Sequence, residues 1–165
     1  MQALVIDADG PRMDGTLLAL IEAGFVATGT TNLQVAETCL CRQSVDVLII
    51  DRETAGDAFG DTLGFAEDCN AQLVSVLRTA NVLPDFDTLP EHFPSLHYIL
   101  DRDVSADVAA QLALASRAGR PPANADWRSA ARLTGPDATA GGEEMFGPWR
   151  TRFRELEEGA FAKAS

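Results

Sequence analysis

The sequence predicts an α/β domain in which five parallel strands form one doubly wound sheet with helices on both faces. Three features of residues 1–118 predict this fold. Short apolar runs alternate with segments that have helical apolar spacing, which is typical of strand–helix–strand units. The run VLII at 47–50 is apolar throughout, as buried parallel strands are. Several runs end in a polar residue, at the strand end where α/β folds place their chemistry.

The predicted elements follow one another in a regular order. The strands cover residues 3–7, 25–30, 45–51, 71–79 and 96–100, and the helices cover residues 12–24, 33–43, 58–68 and 106–118. Gly24 is expected to end the first helix, because glycine tolerates the left-handed backbone of a helix end. Asn32 and Ser105 are expected N-caps, because their side chains accept hydrogen bonds from the free amides of a first turn.

The segment 80–95 is the weak place in this pattern, since a helix should lie there between the fourth and fifth strands. It contains Pro84, Pro90 and Pro94. A proline lacks the amide donor and disfavours helix at the residue before it. We therefore expect a short or broken helix in this segment.

The composition changes after residue 118. Residues 119–143 are dominated by Pro, Gly, Ala and Thr, which predicts a linker with one helical turn at 126–133. The chain is therefore divided into a domain at 1–118, the linker at 119–143 and a helical extension at 144–165.

The extension is expected to form one amphipathic helix over residues 145–162. Pro148 suits the first turn of a helix, and Trp149, Phe153 and Leu156 fall on one stripe. A helix this short is marginal alone. Its stripe therefore needs a surface, either on its own domain or on another chain.

Charge and composition exclude several classes of protein. The chain has 165 residues, 46% of them hydrophobic, and a net charge of −12 that falls mainly within residues 1–120. Such an acidic body repels phosphate backbones, so we expect no nucleic-acid partner. No apolar run approaches the roughly 18 residues of a membrane span, and the opening MQALVID shows no signal peptide. We therefore expect a cytoplasmic protein without a membrane partner.

Cysteine usage agrees with a cytoplasmic location. Cys39, Cys41 and Cys69 have neither the CxxC spacing nor the adjacent histidines that zinc sites use. We interpret them as reduced, mostly buried thiols.

Polar side chains stand at the ends of three predicted strands. Asp7, with Asp9 close behind it, ends the first strand, Asp51 ends the third and Thr79 ends the fourth. Because the carboxyl ends of parallel strands meet at one edge of a sheet, we expect these groups to lie together. Two carboxylates there attract a hard cation such as Mg²⁺, which can hold a phosphoryl group during its transfer.

Residues 1–118 resemble the receiver domain of response regulators. The matching stretches are LVIDAD, VDVLIIDRE, LVSVLRTA and YILDRD. The resemblance implies the flavodoxin-like fold of that family and a phosphoryl-accepting aspartate at Asp51. It also implies a switch pair at Thr79 and Tyr98, and a weak Mg²⁺ site. The candidate ligands of that cation are Asp7, Asp9, Asp51 and Glu53.

The chain departs from this family at two positions that matter for phosphorylation. Ala8 replaces the second acid of the pair after the first strand, and Asp101 replaces the lysine that follows the switch aromatic. An acid at Asp101 would add negative charge beside Asp7 and Asp51. Like charges raise the pKa of a carboxylate and disfavour an incoming dianion.

Lysine is absent from residues 1–162, and Lys163 is the only one in the chain. Arg78 or Arg102 would have to supply the positive charge that the family's lysine supplies. Arginine is not equivalent to lysine, because its head is larger and planar. We therefore expect an atypical or degenerate receiver.

The first function hypothesis is a stand-alone signalling protein of the receiver type, with weak or no phosphorylation at Asp51. It would act through contacts with a signalling partner, either a histidine kinase or a downstream regulator, and a homodimer is a further option. The chain after residue 118 is too short and too polar for a DNA-binding effector. We expect it not to be an enzyme.

The second hypothesis is a flavodoxin-like enzyme or nucleotide-binding protein on the same topology, since a fold does not fix a function. Such a protein needs a phosphate-binding turn. The sequence contains neither GxGxxG nor a P-loop, which weighs against this hypothesis.

Overall fold

The structure, a computed structural model, describes residues 1–81, 88–118 and 131–133. The strands are β1 Gln2–Ile6, β2 Val26–Thr30, β3 Val47–Asp51, β4 Val74–Thr79, β5 Leu96–Asp101 and β6 Ala131–Leu133. The helices are α1 Gly10–Glu22, α2 Leu33–Arg42, α3 Arg52–Ala55, α4 Phe59–Cys69, α5 Leu89–His92 and α6 Ala106–Ala118, and a 3₁₀ turn at Gly56–Ala58 joins α3 to α4.

The strands form one sheet in the order β2-β1-β3-β4-β5-β6, in which the first five are parallel. The predicted five-stranded parallel sheet is therefore confirmed. The three-residue strand β6 adds to it, antiparallel to β5. The helical turn predicted at 126–133 is wrong for residues 131–133. The edge strand of a sheet has unpaired backbone donors and acceptors, so a short segment can pair with it despite its turn-like composition.

The predicted extension at 144–165 and its helix at 145–162 lie outside the described residues. Of the linker at 119–143, only residues 131–133, which form β6, are described. No helix within the described parts of the chain is both long and apolar enough to cross a membrane.

Most helix ends lie where the capping residues predict them. Asn32 accepts hydrogen bonds from the amides of Gln34 and Val35 at the start of α2. Gly24 follows α1 with a φ of 91°, in the left-handed region that a glycine adopts without strain. α1 begins two residues earlier than predicted, because Asp9 caps it.

The crossover between β4 and β5 contains only one short described helix. It is α5, four residues long, with Pro90 in its first turn. Residues 82–87 lie outside the described part of the chain. The short helix expected in 80–95 is thus confirmed over the part that is described.

Each face of the sheet has its own apolar core. One core packs against α1 and α6 and contains Val47 and Ile49 of β3. The other packs against α2 and α4 and contains Leu48 and Ile50. Side chains alternate between the two faces along a strand. This alternation also decides on which face each polar group at a strand end lies. Asp51 continues the set of Val47 and Ile49.

The cysteines are less buried than the sequence suggested. Cys41 and Cys69 are exposed and Cys39 is half-buried. The expectation of mostly buried thiols is therefore wrong. Cys41 is the penultimate residue of α2 and Cys69 is the last residue of α4, where the helix surface is no longer covered by the sheet.

Candidate functional site

The topological switch point of the sheet lies between the neighbouring strands β1 and β3. From β1 the chain first forms β2 on one side of β1, and then crosses to form β3 on the other side. Asp7 directly follows β1, and Asp51 ends β3. Both are 1% exposed. The two carboxylates predicted to meet at this edge of the sheet are therefore brought together.

Asp51 caps the helix that follows it. Its Oδ2 accepts hydrogen bonds from the amide and the hydroxyl of Thr54, at 2.9 Å and 2.6 Å. The Thr54 hydroxyl oxygen in turn accepts from the amide of Ala8, at 2.8 Å. The carboxylate is thus held by α3 and linked to the loop after β1.

Two arginines complete the surroundings of Asp51. Arg102 places Nη2 3.3 Å from Oδ2 and Nε 3.1 Å from Oδ1. Arg12 places Nη2 3.4 Å from Oδ1. Both oxygens of Asp51 are engaged, and its side chain is 0% exposed.

Arg12 forms its shortest contacts with Asp7. Its Nε and Nη2 donate to the two oxygens of that carboxylate, each at 2.6 Å. This is the two-pronged geometry in which a guanidinium binds a carboxylate most strongly. The hydrogen bond with Asp7, together with the charges of Asp7, Asp51 and Asp9, raises the pKa of Arg12. Arg12 is therefore a permanent cation between two buried carboxylates.

The residues do not fit the Mg²⁺ site that the resemblance implies. The Arg12 guanidinium contacts Asp7 and Asp51 together, where a shared cation would stand. The Asp9 carboxylate is partly exposed and caps α1. The Glu53 carboxylate is hydrogen-bonded to the end of β4 instead. Within the described residues, no three histidine, cysteine or acidic side chains are grouped so that they could hold a metal ion. The four candidate ligands thus do not act as a set.

Glu53 is bound to the end of β4. Its Oε1 accepts from the Thr79 hydroxyl at 3.0 Å, from the Ala80 amide at 3.0 Å and from Asn81 Nδ2 at 3.2 Å. Burial acts to raise the pKa of Glu53, but these hydrogen bonds outweigh it, so that pKa is lowered. The hydroxyl of Thr79, the candidate switch residue, therefore faces Glu53.

Glu53→Gln is expected to reduce the acid sensitivity of the fold. A carboxyl whose pKa is lower in the folded state stabilises that state above its unfolded pKa, which is about 4.3 for Glu. This contribution is lost as pH falls through the folded pKa. Urea midpoints measured from pH about 5 to about 3 should therefore decline less in Glu53→Gln than in the wild type. Glu37→Gln, on the exposed side of α2, is the matched control. Equal slopes for the wild type and Glu53→Gln would contradict the expectation.

Tyr98, the candidate switch aromatic, lies inside the fold. It is 6% exposed and belongs to the core between the sheet and the helices α1 and α6. Burial raises the pKa of its hydroxyl.

Asp101 does not face the carboxylate pair. Its side chain is exposed, and its Oδ1 accepts from the amide of Asp103 at 2.9 Å. The expectation that Asp101 adds negative charge beside Asp51 is therefore wrong. Side chains alternate along β5, and Arg102, the residue directly after the strand, is the one that reaches Asp51.

Arg78 is a third arginine on the same face of the sheet. It pairs with Asp51 in the register of β3 and β4 and is 1% exposed. Its Nη1 donates to the Thr16 hydroxyl at 2.9 Å and its Nη2 to the Val104 carbonyl at 3.5 Å, but its Nε has no hydrogen-bond partner within the described residues. Burial lowers its pKa, although the charges of Asp7 and Asp51 oppose this.

Arg12 is the site residue that sequence reasoning missed. A signal for it exists, because Arg12 lies five residues after Asp7 and in the first turn of a predicted helix. The first turn of a helix that follows a strand stands over the carboxyl end of that strand in an α/β fold. A long cation there can reach the strand-end carboxylates.

Comparison with known proteins supports the fold. No protein-family model matches the sequence, and no curated protein matches it. A response regulator from Thermotoga maritima is similar in structure, with a TM-score of 0.57 and 17% identity over 66% of this chain and 90% of that one. An orphan response regulator of H. pylori has a TM-score of 0.61 and 13% identity over 70% of this chain and 95% of its own.

An atypical orphan response regulator, described as having a phosphorylation-independent regulatory mechanism, has a TM-score of 0.59 and 13% identity. This chain is covered over 75% of its length and that protein over 100%. The described domain has the receiver fold of response regulators, so the predicted resemblance is confirmed at the level of the fold.

Proposed function

We propose that this chain is a stand-alone receiver-like signalling protein that acts through protein–protein contacts, with weak or no phosphorylation at Asp51. The observation that carries the proposal is the state of Asp51. Its side chain is 0% exposed, and both of its oxygens are engaged by Thr54, Arg12 and Arg102.

Phosphorylation of Asp51 would require one of its oxygens to reach the phosphorus atom of a donor. That oxygen would first have to leave a guanidinium or the amide and hydroxyl of Thr54. Charge-assisted hydrogen bonds are about twice as strong as neutral ones, so their loss raises the barrier. The Mg²⁺ that would offset this cost could bind Asp7 and Asp51 only after Arg12 had moved. Phosphorylation is therefore slow or absent.

Such a protein acts by presenting a binding surface to a partner and not by catalysing a reaction. The acidic body, with a net charge of −12, suits a protein partner better than a nucleic acid. A histidine kinase or a downstream regulator in the cytoplasm is the partner class, and a homodimer is the alternative assembly. The likeness to an atypical orphan regulator described as phosphorylation-independent supports this proposal.

The proposal is tested by the intact mass of the protein after incubation with acetyl phosphate and Mg²⁺. Little or no addition of a phosphoryl group is expected in the wild type, and none in Asp51→Asn. A receiver domain that accepts phosphoryl groups from acetyl phosphate should gain one in parallel, which shows that the donor is active. Circular dichroism confirms that both variants are folded.

Conversion of most of the wild type to a species heavier by one phosphoryl group, absent from Asp51→Asn, would overturn the proposal. It would mean that Arg12 and Arg102 release Asp51 readily and then bind the phosphoryl oxygens. The protein would in that case be a working phosphoryl acceptor with arginines in place of lysine.

A further inference from the structure

The carboxyl ends of α2 and α4 meet on the surface of the domain, at the edge of the sheet opposite Asp51. The two helices share one core cluster, to which α2 contributes Ala36 and Leu40 and α4 contributes Leu63 and Ala66. Beyond the helix ends, Asn70 Nδ2 donates to the Val45 carbonyl at 2.9 Å. This hydrogen bond ties the residue after α4 to the segment after α2.

Each of these helix ends carries an exposed cysteine. Cys41 and Cys69 are free and exposed. Cys69 follows the buried Ala66 by three residues, so the two lie next to each other on the surface of α4. Cys41 acts on the Cys69 thiol both through its charge and as a hydrogen-bonding neighbour, so the two thiols are near each other. Two neighbouring thiols on adjacent helix ends are candidates for a disulfide.

We propose that Cys41 and Cys69 are a redox-sensitive pair that a peroxide converts into an intramolecular disulfide. This site is independent of Asp51 and gives the protein an input that needs no phosphoryl donor. One thiol is first oxidised by hydrogen peroxide to a sulfenic acid, with release of one water molecule. The second thiol then attacks the sulfenic sulfur, the S–S bond forms, and a second water molecule leaves.

The surroundings of the two thiols set their roles. Burial, the neighbouring Cys41 and the charge of Asp68 raise the pKa of Cys69, which lowers its share of reactive thiolate. This favours Cys41 as the thiol that reacts with peroxide, with Cys69 resolving the sulfenic acid. The disulfide would join α2 to α4 and close the chain segment between them.

The test is the intact mass of the full chain after treatment with hydrogen peroxide. The wild type and Cys39→Ala should each lose the mass of two hydrogen atoms and regain it with dithiothreitol. Cys41→Ser and Cys69→Ser should not lose it. Cys39 and Cys41 share one tryptic peptide, 13–42, so the linkage is mapped in Cys39→Ala, where a 13–42 to 53–78 cross-link identifies the pair.

Two further measurements check the roles and the consequence. Cys69→Ser should retain a sulfenic acid that dimedone traps, whereas Cys41→Ser should not. Oxidation should raise the urea midpoint of the wild type, because a cross-link restricts the unfolded chain, and should leave that of Cys41→Ser unchanged. Retention of all three thiols, or disulfides only between chains, would overturn the proposal without touching the assignment at Asp51.

Discussion

Arg12→Ala is expected to destabilise the domain by about 3 kcal/mol, because removing one partner of a buried ion pair leaves charge uncompensated. Arg12 makes two hydrogen bonds of 2.6 Å to Asp7 and lies 3.4 Å from Asp51. Both carboxylates are 1% exposed. Without the guanidinium they face each other across the switch point of the sheet.

The same variant is expected to acquire a response to Mg²⁺ that the wild type lacks. Two neighbouring carboxylates with no cation between them are hard oxygen ligands, which Mg²⁺ prefers. A ligand that binds only the folded state stabilises it, by about 1.4 kcal/mol when its concentration is about ten times the dissociation constant. The stability lost with Arg12 should therefore be restored in part by the ion whose place the guanidinium takes.

Urea unfolding with and without Mg²⁺ measures both effects. Arg42→Ala removes an exposed arginine from the end of α2 and serves as the control, with little change under either condition. A loss of stability that Mg²⁺ does not restore would contradict the idea that Arg12 stands in for a cation.

Most of the fold could be predicted because its signals are local. The strand β3 is an apolar run that ends in Asp51. Gly24 marks the end of α1, and Asn32 marks the start of α2. Two elements were missed because they are too short to have a period. The helix α3 has four residues, and β6 has three and exists only by pairing with β5.

The candidate site was predicted in part for a related reason. Asp7 and Asp51 could be placed because strand ends in a parallel sheet share an edge. Arg12 was missed although its place in the first turn of α1 is a signal, because its contacts depend on where a long side chain reaches once α1 is packed. Asp101 was assigned to the site by its position in a motif, yet strand alternation turns it away, and Arg102, the residue directly after the strand, reaches Asp51.

Arg78→Met is expected to stabilise the domain by about 1 kcal/mol, because a buried charge replaced by an apolar side chain of similar shape loses its desolvation cost. Arg78 is 1% exposed and makes one short hydrogen bond, to Thr16, while its Nε has no partner within the described residues. None of the ion pairs formed by the described residues includes Arg78.

Charge balance at the site points in the same direction. Three guanidinium groups, those of Arg12, Arg78 and Arg102, face two buried carboxylates. Attraction to Asp7 and Asp51 favours the charged form of Arg78, but burial opposes it and so does the charge of Arg12. Methionine would leave two cations against two anions, with every short ion pair intact.

A double-mutant cycle with Thr16→Ala separates the hydrogen bond between Arg78 and Thr16 from the cost of burying the Arg78 charge. In the wild type, Thr16→Ala removes the partner of a buried guanidinium and should cost about 1 to 3 kcal/mol. In the Arg78→Met background it should cost less, since no donor is left unpaired. If Arg78→Met instead lowers the urea midpoint, long-range attraction to Asp7 and Asp51 exceeds the cost of burial. The third arginine would then be a net stabiliser of the two buried carboxylates at the switch point.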